Sequence, residues 1–122
     1  MSNTITVGKH AEKQAEVFLH KKGLTTILRN FRCRFGEIDL IMQDGETLVF
    51  VEVRFRRNTK FGGPLASITD SKRKRLLATA QLYLQKNSRL LNTNQRFDVI
   101  GIVGESDKTT KIEWIKNAID AY

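Results

Sequence analysis

The stretch GEIDLIMQDGETLVFVEVRFRR, residues 36–57, reads as two strands around a tight turn. Taking Asp44-Gly45 as the turn, a strong short hairpin signal, pairs Gln43 with Glu46, Ile41 with Leu48, Asp39 with Phe50 and Glu37 with Glu52. Side chains alternate across a sheet, so Glu37, Asp39, Ile41, Phe50, Glu52 and Arg54 are expected on one face. Ile38, Leu40, Met42, Val49, Val51 and Val53 then form a wholly apolar face opposite. Three carboxylates and a cation in strands where apolar residues would pack better need a reason. Asp39 and Glu52 become diagonal neighbours, roughly 7–8 Å apart along the backbone, and their carboxylates can converge. Like charges that close repel, and burial strengthens the repulsion. A divalent cation relieves it, and hard oxygen ligands in an open arrangement suit Mg²⁺ or Mn²⁺. Spacing alone leaves a second arrangement open, in which Arg54, Arg56 or Arg57 pairs with these acids in ordinary salt bridges.

Outward from the hairpin, Val7, Ala11, Ala15, Phe18 and Leu19 recur at helical spacing and predict a helix over about 7–22. Thr4 or Thr6 can cap its start and Gly23 can end it in a left-handed conformation. A strand is expected within 26–34. After the hairpin, RRNTKFGGPLASITDS holds the single proline and Gly62-Gly63, a composition of turns and mobility. Thr69, Asp70 or Ser71 can cap a second helix to about Gln85, burying Leu76, Leu77, Ala80, Tyr83 and Leu84. Its first turns carry KRKR at 72–75, positive charge set against the helix dipole, which suits an anionic partner or a solvated surface. RFDVIGIV at 96–103 and KIEWI at 111–115 predict two more strands, and KNAID a short terminal helix. The second helix then serves as the crossover that sets a later strand parallel to an earlier one. The expected fold is α/β, a mixed sheet flanked by helices, in one domain over 1–122.

The chain carries 21 Lys plus Arg against 13 Asp plus Glu, a formal charge of +8, which favours a polyanionic partner such as nucleic acid. One cysteine, Cys33, excludes an intramolecular disulfide and a thiolate zinc cluster. Set in FRCRF, it reads as a small core residue. No apolar run resembles a signal peptide or a membrane span, so a soluble cytoplasmic protein is expected.

Asp39, a hairpin, then Glu52-Val53-Arg54 resembles the D…(D/E)-x-K pattern of the PD-(D/E)XK nuclease superfamily. More closely, GEIDLI…LVFVEVRFRR…FGGPLASIT…KRKRL is similar to the YraN-like family of predicted bacterial endonucleases, themselves distantly similar to archaeal Holliday-junction resolvases. The likeness runs from about Gly8 to IEWIKNAI, nearly the whole chain. It implies a restriction-endonuclease-like domain with an αβββαβ core. It also implies an Mg²⁺- or Mn²⁺-dependent endonuclease that hydrolyses DNA phosphodiesters, with branched or distorted DNA as the candidate substrate. Asp39 and Glu52 would be metal ligands, joined by the Val53 carbonyl, with Glu12 as the acidic residue of the first helix. Arg54 stands where the superfamily has lysine. Arginine keeps its charge but essentially never loses a proton, so it clamps phosphate and cannot act as a general base. That departure predicts weak or absent cleavage of simple duplex DNA. Arg56, Arg57, Lys60, Lys72, Arg73, Lys74 and Arg75 are the candidate DNA-binding residues. No membrane partner is expected, and a homodimer is left open. Two rival readings stand beside the nuclease: a non-catalytic nucleic-acid-binding module that keeps the fold, and an interaction subunit of a DNA-processing assembly.

Overall fold

The hairpin forms, with its turn one residue later than Asp44-Gly45. Asp44 stays in the strand and pairs with Thr47, so Gly45-Glu46 make the turn and Ile41 faces Phe50. Gly45 has φ +61°, the conformation that a type II′ turn requires at its first central position. The computed structural model describes residues 4–58, 60, 62–104 and 110–119, with the side chains of 4–7 left aside. Helix α1 spans Thr4–Lys21, followed by strands β1 (Thr25–Cys33), β2 (Gly36–Asp44) and β3 (Thr47–Arg56). Helix α2 (Asp70–Lys86) leads to β4 (Asn94–Val103) and β5 (Lys111–Ile115). Because α1 already includes Thr4 and Thr6, neither precedes it as a cap. Gly23, at φ +98°, ends it as expected.

The strands lie in the order β1-β2-β3-β4-β5. Neighbours run antiparallel except β3 and β4, which pair in parallel from Thr47↔Asn94 to Arg56↔Val103. Helix α2 makes that crossover, as the chain order predicts. Each helix covers a different set of buried residues. Ala11, Ala15 and Leu19 of α1 pack on Leu40, Met42, Val49, Val51, Ile100 and Ile102. Leu76, Ala80, Tyr83 and Leu84 of α2 pack on Ile38, Ile41, Phe50, Phe97 and Val99. The result is a mixed sheet between two helices. Among the described residues, no helix is long and apolar enough to cross a membrane.

One expectation about the faces fails. Ile38 packs with Ile41 on the α2 side, not with Leu40 and Met42. Two residues, Asp39 and Leu40, therefore separate side chains that share a layer, and strict alternation slips there. The neighbouring backbone shows why. Asn30, between the paired residues Arg29 and Phe31 of β1, has φ +53°, and regular β2–β3 pairing begins only at Leu40↔Val51. The strands part just where the acids stand.

The loop after β3 is less irregular than its composition suggests. Pro64–Ser67 form one 3-10 turn that lies against β4. A Cβ built on Gly101 of β4 would fall 2.0 Å from Pro64 Cγ, so only glycine admits this approach. Thr69 caps α2, its Oγ1 accepting the Lys72 N–H at 3.1 Å. At the other end of β4, Asp98 is wholly buried. It accepts Arg96 Nε at 3.0 Å, Trp114 Nε1 at 2.9 Å and the Asn117 N–H at 2.9 Å. Residues 116–119 of the expected terminal helix are not helical. Asn117 sits at φ +52°, and the Asn117 and Ala118 N–H groups bond back to Asp98 and Phe97. The rest of that segment lies outside the described residues. Cys33 is half-buried at the end of β1, not in the core, with its Sγ 3.7 Å from Thr79 Oγ1.

Candidate functional site

Asp39 occupies the gap where β2 and β3 part. The Val53 N–H donates to its Oδ2 at 2.8 Å, so Val53 meets the site through its amide. Glu12 arrives from α1, one turn beyond Gly8, and Glu37 from the start of β2. One carboxylate oxygen from each of Glu12, Glu37 and Asp39 lies within 4.8 Å of the others. Asn30 holds two of these acids in place, its Nδ2 donating to Glu12 Oε1 at 2.9 Å and to Glu37 Oε1 at 2.7 Å. Arg32 Nε takes the second oxygen of Glu37 at 3.1 Å.

Glu52 completes the group from β3, sharing a hydrogen bond with Asp39. The electrostatic consequence falls on Asp39. Burial first, then the Glu52 charge and the hydrogen bond with it, then Glu12, push its carboxyl up to about 9, against the opposing pull of the Val53 amide. Carboxylates crowded this far suit a hard cation that prefers oxygen. By donor chemistry, Glu12, Glu37 and Asp39 fit Mg²⁺ or Mn²⁺, and Glu52 adjoins them through Asp39. Of the acids singled out in the sequence, Asp39 therefore meets Glu12 within this cluster and Glu52 beside it. Glu37 was legible only as a residue on the same strand two positions before Asp39.

Positive groups approach Glu52 from the α2 side. Arg54 Nη1 lies 3.2 Å from Glu52 Oε2, and Lys72 Nζ lies 3.4 Å from the same oxygen. Arg54 also donates from Nε to Ser67 Oγ at 2.9 Å and from Nη2 to the Ser67 carbonyl at 3.3 Å. The Pro64–Ser67 turn therefore fixes Arg54, and Ser67 carried no signal in the sequence. The run 72–75 does not act as one patch. Lys72 turns to Glu52, Arg73 Nε lies 3.9 Å from Asp70, and Arg75 Nη2 reaches Ser71 Oγ at 3.4 Å. Lys74 is exposed. So are Arg56, Arg57 and Lys60, with Arg56 Nη1 folded onto the Phe55 carbonyl at 2.8 Å.

On the α1 side a recess of about 260 Å³ opens beside the acids, lined by Lys9, Glu12, Lys13, Glu16, Arg29 and Asn30. Glu16 is buried, and burial works to raise its pKa. The Arg29 and Thr26 hydrogen bonds outweigh that and hold it below the usual carboxylate range. It is bound to Arg29 Nη2 at 2.7 Å and stands as a structural anion.

The model of the uncharacterised protein family UPF0102 matches residues 11–102, which include Glu12, Asp39, Glu52, Arg54 and Lys72. A UPF0102 protein of Nitrosomonas eutropha is 51% identical over 120 residues, covering 98% of each chain. One from Janthinobacterium sp. (strain Marseille) is 52% identical over 114 residues, covering 93% of this chain and 87% of its own. A third, from Pseudomonas fluorescens, is 46% identical over 114 residues and 93% of each chain.

Proposed function

The chain belongs to the UPF0102 family, and from that premise we propose that it is a nuclease, hydrolysing DNA phosphodiesters with a divalent cation held by Glu12, Glu37, Asp39 and Glu52. One observation carries this reading: acids from α1 and β2 converge where two strands part, Glu52 of β3 shares a hydrogen bond with one of them, Asp39, and burial, then the Glu52 charge, push Asp39 up to about 9. A buried group perturbed by a specific charge partner is a candidate for a functional site. A bound cation would supply Lewis acidity toward the phosphate and would orient water. In the hydrolysis a water oxygen forms a bond to phosphorus and one P–O ester bond breaks. The proton lost by water leaves to solvent, and the departing alkoxide takes one up.

The chain's own residues divide the remaining work. The Val53 amide aims Asp39, Asn30 spaces Glu12 from Glu37, and the Ser67 contacts hold Arg54 beside Glu52. Lys74, Arg75, Arg56 and Arg57, exposed on the flanks, suit a phosphate backbone. A DNA-binding module without catalysis is the second reading. Its support is that Glu52 already has two cations, Arg54 and Lys72, within 3.4 Å.

Duplex, single-stranded and four-way-junction DNA incubated with Mg²⁺, Mn²⁺ or EDTA separate the two. The nuclease cuts at least one of them in a metal-dependent way, and Asp39→Ala and Glu52→Ala each lower the rate on the order of 10²–10⁴-fold. Salt-sensitive binding without cutting by the wild type supports the module. Neither cutting nor binding would leave the interaction subunit.

A further inference from the structure

We infer that Lys72, on the first turn of α2, supplies the ammonium of this site, while Arg54 is a positioning residue. The inference rests on the nuclease reading and assigns the phosphate-facing cation within it. Both side chains reach Glu52 Oε2, Arg54 at 3.2 Å and Lys72 at 3.4 Å. They differ in what else they do. All three guanidinium nitrogens of Arg54 are engaged by Ser67 Oγ, the Ser67 carbonyl and Glu52, and the side chain is 20% exposed. With three of its five N–H donors held by the protein, one on each nitrogen, the plane of Arg54 is fixed and cannot turn to follow a ligand. Lys72 is 40% exposed, and Glu52 is its one side-chain partner among the described contacts. Its ammonium has three donors on a flexible stem, so it can keep Glu52 and still face an anion.

The backbone of Lys72 is fixed, because its N–H is the one that Thr69 caps. The placement also answers the sequence's question about KRKR. A cation opposes the dipole at a helix start, and here the Glu52 carboxylate beneath it offsets that cost. Arg73 and Arg75 instead turn to Asp70 and Ser71 within the helix. So the ammonium absent at position 54 enters from another element, and it lies over the carboxylate two residues before Arg54.

The test uses a Cys33→Ser background, in which Lys72→Met keeps the stem and removes the charge, and Lys72→Cys is treated with an aminoethylating reagent to restore an ammonium. Expected are a kcat at least 100-fold lower for Lys72→Met, a cooperative urea transition that shows the variant is folded, and recovery of at least one tenth of the wild-type rate by aminoethylation. Lys72→Met cutting within threefold of wild type, or aminoethylation without recovery, overturns the assignment. A readout independent of cutting is the ¹³C resonance of reductively methylated Lys72. It should move when Mg²⁺ is added and stay still in Asp39→Ala. If no DNA is cut by the wild type, the nuclease reading falls and this resonance alone decides. A Lys72 signal indifferent to Mg²⁺ then sinks the inference too.

Discussion

Asp39 contributes a pH dependence of its own. Its carboxyl stands at about 9 in the fold against 3.8 ordinarily, so between those values the folded chain holds a proton that the unfolded chain has lost. Cation-free stability therefore falls as pH rises through that window and levels off above it. Urea unfolding in EDTA should show a midpoint that declines from pH 5 to pH 9. Asp39→Asn, which keeps an acceptor for the Val53 amide, should remove most of the decline. Mg²⁺ should restore the wild-type midpoint at pH 8, because a ligand that binds only the folded state stabilises it. A wild-type midpoint that holds steady across the window in EDTA would contradict the crowding. Glu16 works in the opposite sense. Held charged by Arg29 and Thr26, it contributes stability that is present above the carboxylate range and lost as pH falls through it. Two acids, Glu16 on α1 and Asp39 on β2, thus pull the pH profile in opposite directions.

Among the elements, the 3-10 turn at Pro64–Ser67 links the sheet to the site, since it touches β4 through Pro64 and Arg54 through Ser67. Gly101→Ala puts a methyl into Pro64, and overpacking of this kind costs typically ~1–3 kcal/mol. Because Pro64 is the atom group struck, Gly101→Ala with Pro64→Ala should recover part of the loss. A coupling of at least about 0.5 kcal/mol in a double-mutant cycle would show it, and strict additivity would mean that the turn does not bear on β4. The same element explains what could be read from sequence. Helix α2, the parallel crossover and all five strands follow from apolar period and turn chemistry, which are local, whereas the choice of Thr69 among Thr69, Asp70 and Ser71 as the cap comes from the structure. Ser67 has no pattern to betray it, because its role depends on a turn folded back over another strand. The hairpin turn was misplaced by one residue for a similar reason. Asp44 is pinned in the strand by Arg96 Nη2 at 2.9 Å, a partner 52 residues away. Period-two alternation located Asp39 and Glu52 but could not foresee the slip at Asp39–Leu40, which depends on the left-handed Asn30 opposite.

For the whole molecule, the formal charge is +8, and Arg56, Arg57, Lys74 and Arg75 are among the exposed cations. Lys74→Gln with Arg75→Gln should leave stability within about 0.5 kcal/mol, since both are exposed. DNA affinity should fall alike across sequences, and the slope of log affinity against log salt should flatten by roughly one for each phosphate contact removed. An unchanged slope would assign these charges to solvation alone. The parallel ladder of β3 with β4 has a consequence in time. Glu12, Glu37, Asp39 and Glu52 all belong to the first three strands and the helix before them, where neighbours in the sheet are neighbours in the chain. Lys72 and Ser67 take their places only when β4 docks, and its first pair joins Thr47 to Asn94. Closing so long a loop is entropically slow, and folding rates fall as contacts become less local. The acids and Arg54 are thus expected to gather through local contacts, and Lys72 to join them later, with the long-range docking of α2 and β4.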